Sequence, residues 1–440
     1  MYETSLYKKF SLFIGHIGTP KVFTVRDTWR NLKSCDVLLV SHENNRSYDF
    51  QGKRVSHLLD SVRYYLEKES INCDAVSLPF DSQGESTNHY GDKTVNYLFL
   101  NQIISCGLRS LFTLKHSFTQ IRHHGYVKAW MKILEKCQPK IVIAIQPRSY
   151  LCEACHKKGI KIYDFQHGVI DETIPGYSSI VTEKIKKEYL PTGYFCWNED
   201  SANTLQKWCT RKGLDVLVLG NPWLSRFQLK EDQDDIVQYA LKNEPPFDIN
   251  KKTILISLQW RLDYWYPQFF TASEFISPEL LNVIRNSGDE INWLLRLHPI
   301  QMKQKKIIEI IKNEFNGLDN VKIEWPSRVP LPVVLTYVHG HITWDSSTVI
   351  EAALFNVKNF VLNPKGFSPF QASDEKKVTR SPIQQLPYTF EENQGLVERS
   401  KEQPDKDQIN KWVNALTDDF TKLEHESFFD TASLVKIVKQ

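Results

Sequence analysis

The chain has 440 residues, 41% hydrophobic, 24% charged and 12% aromatic, with a formal net charge of +3. This length exceeds what one hydrophobic core usually supports, so two domains are expected, and the composition excludes disordered and fibrous classes. The sequence shows neither a long apolar run nor a signal-peptide pattern, and its scattered cysteines suit a reducing compartment. We therefore predict a cytoplasmic protein. No nucleic-acid partner is expected.

In the first half, short apolar strands alternate with helical stretches. Continuous apolar strands separated by helices are typical of a parallel sheet that is covered on both faces. A close cysteine pair, Cys152 and Cys155, lies on a predicted helix without a second pair at zinc-site spacing, so inert helix cysteines are expected. The predicted elements are strands at 35–43, 73–80, 140–146 and 161–166 and helices at 53–70 and 148–158.

The second half repeats this alternation. Two tandem doubly wound α/β units that face a cleft are the economical architecture. We expect a first domain at 1–185, a second at 186–400, and helices at 401–440 that pack back on the first domain. The polar segment 228–251 is predicted to be a surface excursion. Strands are predicted at 192–199, 214–222, 252–259, 291–299, 320–327, 339–345 and 358–364.

Residues 101–165 are basic, with eleven Lys and Arg against three Asp and Glu. Their central part mixes cations with Leu, Phe, Trp and Ile at helical spacing. This pattern fits a helix on a membrane surface or a face for an anionic acceptor. It equally fits a core helix with a solvated basic face.

Polar residues stand where several predicted strands end. Ligands of doubly wound folds bind beyond the carboxyl ends of the strands, so these positions are candidates for a site. A single histidine at a strand end is more often structural, but several polar strand ends together favour a binding site. They are Gln166-His167-Gly168 in the first unit and Gln259, His298-Pro299 and Asp345-Ser346-Ser347 in the second.

The stretch "WDSSTVIEAALFN" (344–356) suits an anion. Asp345, Ser346 or Ser347 can cap the following helix, whose first N–H groups favour a phosphate. Glu351 lies one turn later, where its carboxylate could take the hydroxyls of a ribose; a plain capped helix with an outward glutamate is the alternative.

The stretch "LLRLHPI" (294–300) places Arg296 and His298 at a strand end, where they could bind a nucleotide phosphate. Neither a P-loop nor a Gly-x-Gly-x-x-Gly motif is present. These absences argue against an ATPase and a dinucleotide-dependent oxidoreductase.

The motifs "FQHG", "RLHP" and "SSTVIEA", in this order, resemble those of the GT-B glycosyltransferases of bacterial surface polysaccharide assembly. The likeness is greatest to capsule-synthesis proteins that transfer Kdo from CMP-Kdo, and more distant to GT-B sialyltransferases and CDP-glycerol polymerases. The segment 41–61 also looks like the opening loop of such enzymes. The sialyltransferase Asp/Glu-Asp/Glu-Gly motif is missing, and Gln166 stands where the polymerases have tryptophan.

The resemblance also implies roles for residues. His298 and Pro299 would contact the nucleotide of the donor, and Ser346 and Ser347 would hold its phosphate. Gln166, His167 and Gly168 would line the cleft from the acceptor-side unit.

Glycosyl transfer needs a base for the acceptor hydroxyl, or a carboxylate nucleophile. Asp263 is the first candidate, because it follows a strand in an aromatic setting with Gln259 and Arg261 nearby. His167 is the second and Glu43 the third. Because no Asp-x-Asp stands at a strand end, metal-independent catalysis without a cofactor is expected.

The predicted function is therefore transfer of a sugar, Kdo or a related acidic sugar from a CMP-sugar, to an oligosaccharide or lipid-linked glycan in capsule or lipopolysaccharide assembly. The basic first unit would hold the enzyme at the cytoplasmic face of the inner membrane. Three alternatives stay open: a UDP-sugar or CDP-polyol transferase, an enzyme like UDP-GlcNAc 2-epimerase, and a non-catalytic glycan- or nucleotide-binding module.

Overall fold

The structure, a computed structural model, consists of two α/β units. The first comprises the chain up to Trp223 together with residues 429–439, and the second begins at Leu224. The residues described are 27–42, 45–46, 48–78, 91–111, 118–168, 170, 177–182, 184–260, 262–265, 275–276, 278–344, 346–355, 357–362, 383–385 and 429–439.

The first unit is built on a parallel sheet of seven strands and carries a separate antiparallel hairpin, β2–β3. The order in the sheet is β5-β4-β1-β6-β7-β8-β9. The strands are β1 (Val37–His42), β2 (Tyr48–Phe50), β3 (Lys53–Val55), β4 (Cys73–Leu78), β5 (Lys93–Thr94), β6 (Ile141–Ala144), β7 (Lys161–Phe165), β8 (Gly193–Cys196) and β9 (Asp215–Val218). All four residues of β6 are buried, as expected of a strand covered on both faces.

The second unit contains a parallel sheet of six strands in the order β12-β11-β10-β13-β14-β15. Its strands are β10 (Lys252–Ser257), β11 (Ile291–Arg296), β12 (Val321–Lys322), β13 (Gly340–Thr343), β14 (Lys358–Val361) and β15 (Ile383–Gln385). The predicted strand at 320–327 is shorter than expected, because a helix begins at Glu324.

Helices flank both sheets, and none of those described is long and apolar enough to span a membrane. In the first unit they are Leu59–Lys68, Tyr97–Leu111, Phe118–Cys137, Ser149–Lys158, Ser179–Thr182, Glu199–Lys212 and Thr431–Lys439. Pro222–Leu229 contains the boundary between the units. In the second unit they are Asp235–Leu241, Leu262–Trp265, Pro278–Asn286, Lys305–Glu314, Glu324–Arg328, Leu331–Leu335 and Thr348–Leu354.

Each sheet has a point at which the order of the strands reverses. From β1 the chain adds β4 and β5 on one side and then β6 to β9 on the other. From β10 it adds β11 and β12 on one side and then β13 to β15 on the other. Open α/β sheets bind ligands beyond the carboxyl ends of the strands at such points, which here are β1/β6 and β10/β13.

The first unit extends past residue 185, where the sequence prediction ended it. Its two last strands, β8 and β9, continue the first sheet because β8 pairs with β7 and β9 with β8. The helix Thr431–Lys439 also belongs to this unit. Just before it, the Asp430 N–H donates to the carbonyl of Leu219 at 2.7 Å, and the Phe429 ring lies 5.1 Å from that of Tyr65. The rest of the predicted C-terminal helices, 401–428, lies outside the described residues.

The predicted helix at 53–70 begins only at Leu59, because residues 53–55 form the second strand of the hairpin. Gln51 and Gly52 have φ of 52° and 77°, as the two-residue hairpin turn with two left-handed residues requires. The helical pattern was wrong here because Gln-Gly is a weaker turn signal than Asn-Gly.

Packing decides between the two interpretations of the basic helix and confirms the expected inert cysteines. The basic helix Phe118–Cys137 packs Trp130 and Ile133 into the core, so its apolar side is not available to a bilayer; Lys128, Lys132 and Lys136 are exposed. This is the solvated basic face of a core helix. The cysteine pair is buried, and burial raises the pKa of both the Cys152 and the Cys155 thiol.

The polar segment 228–251 was predicted to be a surface excursion, yet it contains the helix Asp235–Leu241. Asp234 caps this helix, accepting from the Val237 N–H at 3.1 Å. The same carboxylate accepts two hydrogen bonds from Arg226, at 2.5 and 2.6 Å, and both side chains are buried. The ion pair and the cap explain why a polar segment packs.

Candidate functional site

A pocket lies where β10 and β13 end, at the reversal point of the second sheet. The empty space within it, open solvent included, is about 290 Å³. The walls are largely apolar, and Leu262 packs against Trp344 beside it. Residues that line it include Ser257, Leu258, Gln259, Leu262, Thr343 and Trp344. The position and the lining are those expected of a site for a flat or partly apolar ligand.

Gln301 joins two of the strand ends that the sequence singled out. Its side-chain NH2 donates to the carbonyl of Gln259 at 3.1 Å, and its oxygen accepts from the N–H of His298 at 2.8 Å. Gln301 is only 4% exposed, so these bonds are shielded from water. The loops that follow β10 and β11 are therefore held together beside the pocket.

His298 is partly buried, and its ring has a defined orientation. Nδ1 accepts from the Ile300 N–H at 3.2 Å. Burial lowers the pKa of His298, so the neutral ring predominates and carries its proton on Nε2. His298 can therefore donate one hydrogen bond to an oxygen acceptor, while Pro299 is exposed in the adjoining turn.

Arg296 holds the backbone beyond the helix Glu324–Arg328. Its Nη1 donates to the carbonyl of Pro326 and, at 2.8 Å, to that of Val329. The Arg296 guanidinium, which was predicted to bind a nucleotide phosphate, thus donates to two backbone carbonyls. Its charge partly opposes the rise that burial causes in the pKa of Glu351.

Burial raises the pKa of Glu351 to about 7, against the opposing effect of Arg296. The carboxyl is desolvated although the residue keeps partial exposure. Near neutral pH it is therefore divided between an ionised form, which accepts hydrogen bonds from hydroxyls, and a protonated form, which can donate.

This pKa predicts a pH-dependent stability that Glu351→Gln removes. The unfolded side chain titrates near 4.5, so between about pH 4.5 and 7 the folded state holds a proton that the unfolded state has released. The free energy of unfolding contributed by Glu351 falls as pH rises through this window, by about 2–3 kcal/mol. Urea denaturation from pH 5 to 8 should show wild type losing stability relative to the variant. Glu290→Gln, at an exposed site, is the control, and a difference independent of pH would contradict the assignment.

The serines that precede the helix Thr348–Leu354 cap it only in part. Ser346 Oγ accepts from the Thr348 N–H at 3.4 Å, whereas Ser347, which is exposed, makes no side-chain capping bond. The prediction that one of these residues caps the helix thus rests on a long bond from Ser346. Asp345 lies outside the described residues.

A buried histidine that the sequence analysis missed supports this turn. Asn359 donates through Nδ2 to two backbone carbonyls, so its oxygen accepts from His341 Nδ1 at 2.6 Å. His341 Nε2 then accepts from the hydroxyls of Ser257, at 2.8 Å, and Thr348, at 3.2 Å. Burial lowers the pKa of His341 to about 4. A neutral imidazole therefore ties the end of β10 to the start of the helix.

Asp263 lies on the short helix Leu262–Trp265, next to the pocket-lining Leu262. It is partly exposed, and within the described part of the chain its carboxylate takes part in no hydrogen bond or ion pair. Arg261, which was predicted beside it, lies outside the described residues.

In the first unit, Gln166 is structural rather than exposed to a ligand, which corrects the sequence interpretation. It is 1% exposed. Its oxygen accepts from the Trp197 N–H at 2.7 Å, and its NH2 donates to the Gly168 carbonyl at 2.8 Å and to Ser201 Oγ at 3.0 Å. These bonds shape the turn after β7 and join it to β8.

His167 lies within this turn and is partly exposed. Burial first, and His167 second, lower the pKa of His57. At Gly168 a Cβ would meet no atom within 4 Å, so there is open space beside the turn. Glu43, the third candidate for catalysis, lies outside the described residues.

Neither a protein-family model nor a curated protein matches the chain. Solved structures do. UDP-GlcNAc 2-epimerase from Methanocaldococcus jannaschii is 12% identical with a TM-score of 0.52, covering 92% of this chain and 99% of that one. The Neisseria meningitidis UDP-GlcNAc 2-epimerase, bound to UDP-GlcNAc, is 12% identical with a TM-score of 0.50, covering 92% and 100%. The wall teichoic acid polymerase TagF is 14% identical with a TM-score of 0.48, covering 99% of both chains.

At these identities the likeness concerns the fold. Two parallel α/β units in tandem, matched along nearly the whole chain by the two epimerases, confirm the predicted architecture. The chain has the GT-B fold.

Proposed function

We propose that the protein is a glycosyltransferase that uses a nucleotide sugar, with the donor on the second unit and the acceptor on the first. The observation that carries this proposal is the pocket at the end of β10 and β13, together with the Gln301 link that brings Gln259 and His298 to its edge. Apolar walls suit a base or sugar ring, and fixed polar groups at the rim suit its phosphates and hydroxyls.

In this proposal the polar residues of the second unit bind the donor. His298 Nε2–H donates to the nucleotide, with Pro299 shaping the turn. Ser346 and Ser347 hold the phosphate, and Arg296 adds positive charge nearby. Glu351 takes the ribose hydroxyls. Hydrogen-bond donors aimed at the departing phosphate stabilise the charge that develops on it.

Asp263 is the proposed general base for the acceptor hydroxyl, and its position beside the pocket supports this role. His167 is the second candidate, on the acceptor-binding unit. Catalysis without a metal or cofactor is part of the proposal, so transfer should persist in excess EDTA.

For the donor we propose a CMP-activated acidic sugar, Kdo or a relative, and for the acceptor an oligosaccharide or lipid-linked glycan of capsule or lipopolysaccharide assembly. The motifs "FQHG", "RLHP" and "SSTVIEA" support this choice. Peripheral attachment to the inner membrane from the cytoplasmic side would use the exposed Lys128, Lys132 and Lys136, whose spacing of four places them on one face of their helix.

A second candidate is an enzyme like UDP-GlcNAc 2-epimerase. Two of the structural neighbours carry that name, at TM-scores of 0.50 and 0.52. Such an enzyme would exchange the sugar isomer of UDP-GlcNAc without any acceptor.

Thermal-shift measurements on the full chain test the donor. CMP, CDP, UDP and their sugars are added separately, and a ligand at about 100 times its Kd should stabilise the protein by about 2.7 kcal/mol. We expect the largest shift with CMP and CMP-Kdo. Stabilisation by UDP but not CMP would exclude the Kdo donor, and no shift with any nucleotide would overturn the proposed function.

A further inference from the structure

A cluster of aromatic and imidazole rings includes one residue of the hairpin that follows β1. Arg46, which is 4% exposed, anchors the hairpin. Its guanidinium donates to Ser41 Oγ at 3.0 Å and to the Arg54 carbonyl at 3.1 Å, and it pairs with the Asp60 carboxylate at 3.4 Å. The hairpin is therefore fixed beside the end of β1, a strand at the reversal point of the first sheet.

The cluster consists of Tyr48, His57 and Trp223, all in the first unit. The Tyr48 ring stacks on Trp223 with centroids 5.2 Å apart and planes 26° apart. The His57 ring meets Tyr48 edge-on at 5.6 Å and lies 6.2 Å from Trp223. Trp223 is buried, whereas Tyr48 and His57 keep partial exposure. Tyr48 and His57 can therefore meet a ligand, with Trp223 behind them.

The hydrogen bonding of the His57 ring is incomplete among the described residues. Its Nδ1 is buried and has no hydrogen-bond partner within the described part of the chain. Leaving such an atom unpaired costs about 1–3 kcal/mol, which a ligand group could recover. Burial first, and the charge of His167 second, lower the pKa of His57 to about 4, so the ring is neutral at neutral pH.

We propose that His57 and Tyr48 form a carbohydrate-binding subsite, in which His57 Nδ1 shares a hydrogen bond with a sugar hydroxyl. A hydroxyl can donate or accept, so it suits either tautomer of the neutral ring. A phosphate, by contrast, would gain no charge attraction from it. The partly exposed Tyr48 ring adds aromatic surface beside His57, which suits the C–H groups of a sugar. The subsite rests on the proposed function, because it would hold the acceptor of the transfer.

Three variants of the full chain test the subsite. His57→Phe keeps a ring but removes Nδ1, whereas His57→Asn keeps a polar atom near the Nδ1 position. His156→Asn, at an exposed site on the helix Ser149–Lys158, is the control. The probes are the methyl α-glycoside of Kdo and methyl β-D-glucoside, and saturation-transfer NMR gives their Kd values.

We expect at least one probe to bind wild type and the control alike. His57→Phe should weaken its binding about 5- to 10-fold, as the loss of one hydrogen bond does, and His57→Asn should recover most of it. Circular dichroism checks that each variant is folded. An unchanged Kd in folded His57→Phe would overturn the subsite, as would the failure of both probes to bind wild type.

Nucleotide binding tests the proposed function separately from the carbohydrate subsite. Nucleotide thermal shifts are expected to be the same in His57→Phe and wild type, because the donor is assigned to the second unit. If no nucleotide binds wild type but a probe still binds through His57, the transferase proposal falls and the carbohydrate subsite stands.

Discussion

Replacing Asp263 with asparagine should lower the rate of sugar transfer by about 10²- to 10⁴-fold while donor binding stays intact. A positioned general base contributes a factor of this size, and asparagine keeps the shape of the side chain without its ability to take a proton. Asp263 lies next to the pocket-lining Leu262, and no other described residue engages its carboxylate. Initial rates at saturating donor, with the nucleotide thermal shift measured in parallel, give both quantities.

Asp289→Asn is the matched control. Asp289 is exposed in the turn just before β11, at the amino-terminal edge of the same sheet, so its loss should leave transfer unchanged. Wild-type turnover in Asp263→Asn would remove Asp263 from the mechanism. The base would then be sought at His167, for which His167→Gln is the corresponding variant.

Replacing Arg46 with methionine should destabilise the first unit by about 3–5 kcal/mol. The Arg46 guanidinium pairs with Asp60 and Asp92, and the side chains of all three residues are about 1% exposed or less. Methionine fills a similar space but leaves both buried carboxylates to Arg63, which lies 3.0 Å from Asp92 and 3.7 Å from Asp60. Breaking the buried cluster is costly because two carboxylates, shielded from water, then share the single positive charge of Arg63.

Arg54→Met provides the control on the same hairpin. The Arg54 side chain is exposed, and only its backbone carbonyl meets Arg46, so a change within about 0.5 kcal/mol is expected. Urea denaturation followed by tryptophan fluorescence measures both variants. Equal stability of Arg46→Met and Arg54→Met would contradict the structural role of the buried pair.

The fold was predictable because its central strands are continuous apolar runs. Val37 to Val40 and Ile141 to Ala144 are buried on both faces, and this burial requires parallel strands covered by helices. The same pattern also located the ends of the strands. Gln259, His298 and the start of the helix Thr348–Leu354 could therefore be placed at strand ends from the sequence.

What the sequence could not reveal depends on long-range pairing. Residues 193–196 and 215–218 read as strands, but only their pairing with the first sheet assigns them to the first unit. Gln166 is polar at a strand end, like a site residue, yet Trp197, Gly168 and Ser201 satisfy its side chain in the interior.

Two other residues also depend on contacts that are distant along the chain. Gln301 bonds to Gln259, 42 positions earlier in the chain, and His341 bonds to Ser257, 84 positions earlier. No local sequence pattern indicates such contacts.

The most direct test of the transferase is acceptor-dependent turnover by the full chain. CMP-Kdo, CDP-glycerol and UDP-GlcNAc are each incubated with a bacterial surface-glycan acceptor, with nucleotide release followed by chromatography and acceptor mass by mass spectrometry. We expect one donor, CMP-Kdo first, to release its nucleotide in step with a mass gain of one transferred group on the acceptor. Isomer exchange of UDP-GlcNAc without acceptor, and no mass gain with any donor, would contradict this expectation.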